Sequence, residues 1–186
     1  MKFRSLLASA SLSICTSACA DDSVNLIPNG DFASSIDGWT CDGSCSWTDQ
    51  GSTNDGTGAI DVPGLGASTI TSSCFSIAPQ TVYDLSFDAW ANIGLAGGEF
   101  DLFCYGYATT DCEQPTGNFS YTPLYYFAMG SWDSAQGQYD TQADELSALC
   151  EVHFSANGAE ARMDHFVFTF NHQLDDIYAD GFEVSP

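Results

Sequence analysis

Positive charge is almost missing from this chain. Three basic residues stand against 25 acidic ones, and two of the three, Lys2 and Arg4, lie at its start. They precede an uncharged stretch from Ser5 to Ala20 that ends in the small-x-small sequence Ala18-Cys19-Ala20, the pattern of a signal peptide over residues 1–20. Without that segment one basic residue, Arg162, faces 25 carboxylates, a formal charge of −24 with no lysine at all. Neutralising a phosphate backbone requires Lys or Arg, so nucleic acid is excluded as a partner, as is an anionic membrane surface. Histidine is scarce too: His153, His165 and His172 are all there are, and none sits in a G-x-S-x-G or H-E-x-x-H motif. Helical periodicity is nearly absent, and beyond the leader no segment is long and apolar enough to span a bilayer.

The leader has a competing reading. Thr16-Ser17-Ala18-Cys19 resembles a lipobox, which would leave a lipoprotein anchored at Cys19, although Thr16 stands where an aliphatic residue is usual. Either way the chain is expected outside the cytoplasm, secreted or periplasmic. Its remaining cysteines, Cys41, Cys45, Cys74, Cys104, Cys112 and Cys150, are even in number, which in an exported chain implies disulfides. Zinc is the alternative, but no C-x-x-C pair and no histidine at finger spacing supports it. Asp42-Gly43-Ser44 can turn Cys41 back onto Cys45, so a local bridge is expected there. Cys104 is left with two partners, Cys112 across a loop or Cys150 on a neighbouring strand.

Strand signals fill the rest. Tyr83, Leu85, Phe87 and Ala89 alternate with Asp84, Ser86, Asp88 and Trp90, and Cys150, Val152 and Phe154 alternate with Glu151, His153 and Ser155. Ala161 to Phe170 is a further β-prone run, carrying Met163, Phe166 and Phe168. Asp140 to Ala148 is the one stretch that could make a helical turn. Gly, Asn, Asp, Ser and Pro clusters separate the runs, which argues for an all-β sandwich or barrel of one domain over residues 21–170, with a tail at 171–186.

The opening Asn25-Leu26-Ile27-Pro28-Asn29-Gly30-Asp31-Phe32, with Gly38-Trp39 after it, resembles the start of carbohydrate-binding modules of families four, nine and twenty-two. Gly56-Thr57-Gly58-Ala59, then Phe75 to Pro79 leading into Tyr83 to Phe87, and then Arg162 to Phe166 follow in the family's order. The resemblance spans Asn25 to Phe168 and implies a galactose-binding-like jelly roll, a β-sandwich. Phe32 and Trp39 read as large apolar anchors on an edge strand closing that sandwich. The resemblance also implies a structural calcium held by a carboxylate just after the opening Phe and by the aspartate of the final strand. Asp164 is in place, but Ala33 follows Phe32, leaving Asp31, so a weakened calcium site at Asp31 and Asp164 is expected. The final Asp175 to Glu183 resembles a short C-terminal signature of exported bacterial proteins and makes a poor EF-hand loop.

Protein sites for sugars combine aromatic faces with flanking polar groups. Trp90 on an outward row and Trp47 after the cysteine loop are candidates. The resemblance adds Tyr121 and Tyr125, in the region where xylan-binding relatives place a stacking tyrosine, and His153, at a polar contact position, with Glu151 beside it. The competing assignments are core packing for the tyrosines and an ordinary exposed polar residue for His153. A glycosidase would need only two carboxylates at a set separation, but the binding-module pattern takes up nearly the whole length, so no enzyme is expected. The expected function is non-catalytic binding of a neutral polysaccharide. Its rival is a structural or adhesive surface protein with the same fold and no glycan ligand.

Overall fold

A computed structural model describes residues 24–52, 57–63, 66–92, 98–126, 130–156 and 160–174. The expected signal peptide with Cys19, and the signature from Asp175 to Glu183, lie outside the described residues. Among those residues the chain forms strands and no helix: β1 (Trp39–Cys41), β2 (Ser46–Thr48), β3 (Ala59–Val62), β4 (Gly66–Ser72), β5 (Phe75–Ser76), β6 (Thr81–Asn92), β7 (Gly98–Tyr107), β8 (Pro115–Tyr126), β9 (Trp132–Asp140), β10 (Ser147–Ala156) and β11 (Glu160–Gln173). They build two antiparallel sheets. The first runs β1-β4-β10-β7-β8, with β5 also paired to β10, and the second runs β2-β3-β11-β6-β9. This is the expected all-β jelly-roll sandwich. The candidate helical turn after Asp140 is a non-helical turn that leads into β10.

The alternation seen in the sequence decides which residues meet between the sheets. Phe100, Leu102 and Cys104 of β7 and Cys150, Val152 and Phe154 of β10 face inward from the first sheet; Tyr83, Leu85, Phe87 and Ala89 of β6 do so from the second, all buried. Burying each large side chain of this kind stabilises the fold by ~1.5–3 kcal/mol. Phe166 is central: it stacks on Phe87 at 5.6 Å and meets Phe32 edge-on at 5.9 Å. Phe32 and Trp39 are buried anchors as expected, but Phe32 sits in a turn with φ 43° and not on an edge strand, because β1 begins only at Trp39.

One irregularity matters. In β11 the register with β6 shifts between Asp164 and Val167, and His165 has φ 53°. Such a bulge inserts an extra residue and breaks the two-residue alternation. It lets Met163 and Phe166, three positions apart, both face the core, while Asp164 beside the bulge is buried against Ser52.

Candidate functional site

The first sheet presents its outer face through β10, β7 and β8. On β10 the residues between the buried ones are Glu151 and His153. On β7 they are Asp101, Phe103 and Tyr105, and on β8 Phe119, Tyr121 and Tyr125. Register places Glu151 opposite Phe103, Phe103 opposite Tyr121, and Tyr105 opposite Phe119. The result is a continuous aromatic surface. Phe103 lies 5.0 Å from Tyr121 and 5.0 Å from the His153 ring, and Tyr105 lies 6.1 Å from both Phe103 and Phe119. Phe119, Tyr121 and Tyr125 are 54%, 46% and 56% exposed, so core packing is not their role. β8 is an edge strand, and Pro123 within it is compatible with that position, since an edge does not need every N–H.

Polar groups are set among the rings. The Tyr121 hydroxyl donates to Asp101 Oδ1 at 2.8 Å, and that hydrogen bond, with Tyr125 nearby, pushes the Tyr121 phenol well above the usual tyrosine range. His153 Nε2 lies 3.4 Å from Glu151 Oε2. Partial burial, and then the Glu151 charge, push the Tyr105 and Tyr107 phenols up as well. These phenols therefore stay neutral and keep their O–H donors. Beneath the surface, Cys104 and Cys150 are joined where they stand opposite each other, with Cα atoms 4.1 Å apart, tying β7 to β10.

That bridge settles the open choice for Cys104. Cys41 pairs with Cys45 as expected, and the remaining pair is Cys74 with Cys112. Three disulfides suit an oxidising compartment.

Four of the six ligand candidates thus share one face: Tyr121, Tyr125, His153 and Glu151. Trp47 and Trp90 lie on the other sheet. Trp47 is 38% exposed, but its Nε1 donates to the Phe32 carbonyl at 2.7 Å, which fixes the turn holding Phe32. Trp90 stands opposite Trp132 and carries the Arg162 guanidinium 4.2 Å above its ring. Asp101, Phe103, Tyr105 and Phe119 were not singled out in the sequence. In Gly98–Tyr107 aromatic residues occur in both alternating rows, which blurs the contrast that Glu99 and Asp101 give the outward row. The parity of Cys104 with an inward partner was the available signal.

The expected calcium ligands are arranged differently from a metal shell. Asp164 is buried; its Oδ2 accepts from the Ser52 N–H at 2.7 Å and the Ser52 hydroxyl at 3.1 Å, and its Oδ1 from the His165 N–H at 2.7 Å. Burial nonetheless pushes this carboxyl above its usual range. Asp31 is exposed and lies 3.2 Å from His165 Nδ1. Calcium takes roughly six to eight oxygen ligands, whereas among the described residues no group of three or more His, Cys, Asp or Glu could hold a metal ion. Among the described residues Asp164 is thus engaged by three N–H and O–H donors, and Asp31 by His165.

No protein-family model matches the sequence, and no curated protein matches it. Solved structures do match the fold. A structure described as Family 16 Carbohydrate Binding Module-2 aligns with a TM-score of 0.58 and 18% identity, covering 78% of this chain and 99% of that one. A family 61 module in complex with β-1,4-galactotriose aligns with a TM-score of 0.58 and 14% identity, over 80% of this chain and 100% of that one. The family 22 xylan-binding domain from Paenibacillus barcinonensis Xyn10C gives a TM-score of 0.56 and 16% identity, over 76% and 91%. The chain therefore has the jelly-roll fold found in these carbohydrate-binding modules.

Proposed function

We propose that this protein is an exported, non-catalytic carbohydrate-binding module that takes a neutral polysaccharide on the outer face of its first sheet. The observation that carries this reading is the outward aromatic surface of half-buried Phe103 and Tyr105 and exposed Phe119 and Tyr121, ringed by His153, Glu151 and Asp101. The apolar C–H faces of sugar rings stack on such a surface, and the neighbouring carboxylates, imidazole and phenols hydrogen-bond the ring hydroxyls. The solved structures of similar fold that bind galactotriose or xylan support it.

Charge selects among sugars. With a formal charge of −24 after the leader, and Glu99, Asp101 and Glu151 on the binding face itself, uronic-acid-rich and sulfated glycans are repelled. Uncharged chains such as xylan, β-glucan or cellulose are favoured. Asp101 is engaged with Tyr121 as a fixed acceptor, which suits recognition and not proton transfer. Affinity electrophoresis of the folded protein against a panel of soluble polysaccharides tests the proposal: retardation by at least one neutral chain supports it. Retardation by none moves the assignment to a structural or adhesive surface protein, and release of reducing sugar would contradict the non-catalytic reading.

A further inference from the structure

The second sheet's outer face carries a ladder of four side-chain pairs across β6 and β9: Trp90 with Trp132, Asp88 with Ser134, Ser86 with Gln136, and Asp84 with Gln138. At the strand rise per residue the ladder is roughly 20 Å long. Its far end opens into a depression of about 560 Å³ lined by Asp84, Ser86, Gln136, Gln138 and Val167, a volume within the range of small-ligand clefts.

Its polar groups fall into two sets. Asp84 Oδ1 accepts from the Gln138 amide at 3.0 Å and the Asn171 amide at 2.8 Å, and the Ser134 hydroxyl donates to Asp88. These carboxylates are thereby held as oriented acceptors. The side chains of Ser86 and Gln136 make no hydrogen bond within the protein among the described residues, and Gln136 is exposed, so their side-chain donors and acceptors are open to a ligand. Val167 of β11, opposite Ser86, adds an apolar side chain to the lining of the depression. The cation that a half-buried tryptophan and nearby carboxylates could attract is already supplied internally, since Arg162 covers Trp90 and pairs with Asp61 and Glu160. A shallow depression with fixed acceptors, the open Ser86 hydroxyl and Gln136 amide, an apolar Val167 and a tryptophan pair two rungs beyond matches an uncharged, hydroxyl-rich ligand.

We infer that this face is a second glycan site, and that the protein is bivalent. The two sheets pack back to back, so the sites point in opposite directions and one molecule bridges two polysaccharide chains. The inference extends the proposed function to a second surface, and the test separates the two.

Isothermal calorimetry with short xylan and cellulose oligosaccharides counts sites on the full chain. The expected stoichiometry is two per molecule. Gln136→Ala, an exposed change that leaves the core intact, should weaken one site at least five-fold while the other is unchanged; Tyr121→Ala should do the reverse. Trp132→Ala should act as Gln136→Ala does. The wild-type protein should also precipitate a soluble neutral polysaccharide, and Gln136→Ala should not. One site per molecule, abolished by Tyr121→Ala and untouched by Gln136→Ala and Trp132→Ala, would overturn the second site alone. One site abolished by Trp132→Ala and untouched by Tyr121→Ala would overturn bivalence and the platform reading while leaving this face as the glycan site. No binding by the folded protein would overturn both.

Discussion

Phe103 and Tyr121 stand directly opposite each other on β7 and β8, their ring centroids 5.0 Å apart and their planes 28° from parallel, both on the side of the sheet turned away from the core. Two large aromatic rings held side by side at a surface bury little of each other from water. Their arrangement is that of a platform waiting for a third apolar face.

The platform depends on the strands beneath it. Cys104–Cys150 joins β7 to β10 in the buried layer immediately under Phe103, Glu151 and His153. Replacing both cysteines by alanine should lower unfolding stability by about 2–4 kcal/mol, measured by chemical denaturation. Glycan affinity should also fall, because the Phe103–His153 spacing is set by the pairing of these two strands.

Tyr121 reports on its own hydrogen bond. With Asp101 accepting from it, the phenol holds its proton beyond the pH at which ordinary tyrosines ionise, near 10. In a spectrophotometric titration Asp101→Asn should bring one tyrosine down toward that ordinary value, since the negative acceptor that favours the neutral phenol is gone. An unchanged titration curve would mean that the Tyr121–Asp101 bond does not persist in solution.

Asp164 offers a test of what its carboxylate is for. Both of its oxygens accept from backbone N–H groups, those of Ser52 and His165. An asparagine there must turn its NH2 toward one of those donors, whichever way it is oriented. Asp164→Asn should therefore destabilise the fold by about 1–3 kcal/mol. Melting temperatures in chelator and in millimolar calcium should coincide for the wild-type protein; a rise of several degrees with calcium would restore a metal to this corner.

The parts of this molecule that were legible in the sequence are those where one face of a strand is apolar and the other polar. Tyr83 to Trp90 and Cys150 to Ser155 read correctly residue by residue, and they fixed which way Glu151 and His153 point. β7 is harder to read because its outward row mixes Glu99 and Asp101 with Phe103 and Tyr105, so aromatic residues stand on both faces and alternation does not mark the centre of the platform. Trp90 was rightly placed outward, but alternation gives a face and not a sheet; only the strand order shows that it looks away from Tyr121. The β11 bulge reverses the parity beyond it, which alternation alone does not show, and the burial of Asp164 comes from Ser52, a residue distant in sequence.

Calorimetric titration of the wild-type protein and of Tyr121→Ala with a neutral polysaccharide that retards the protein in a gel tests the central claim most directly. Removing one stacking ring should cost about 0.5–1.5 kcal/mol beyond the loss of contact area, so the platform site should bind several-fold more weakly in the variant while its melting temperature stays close to that of the wild type. Equal affinity at that site in the two proteins, both folded, would contradict the aromatic face as the place where the glycan binds.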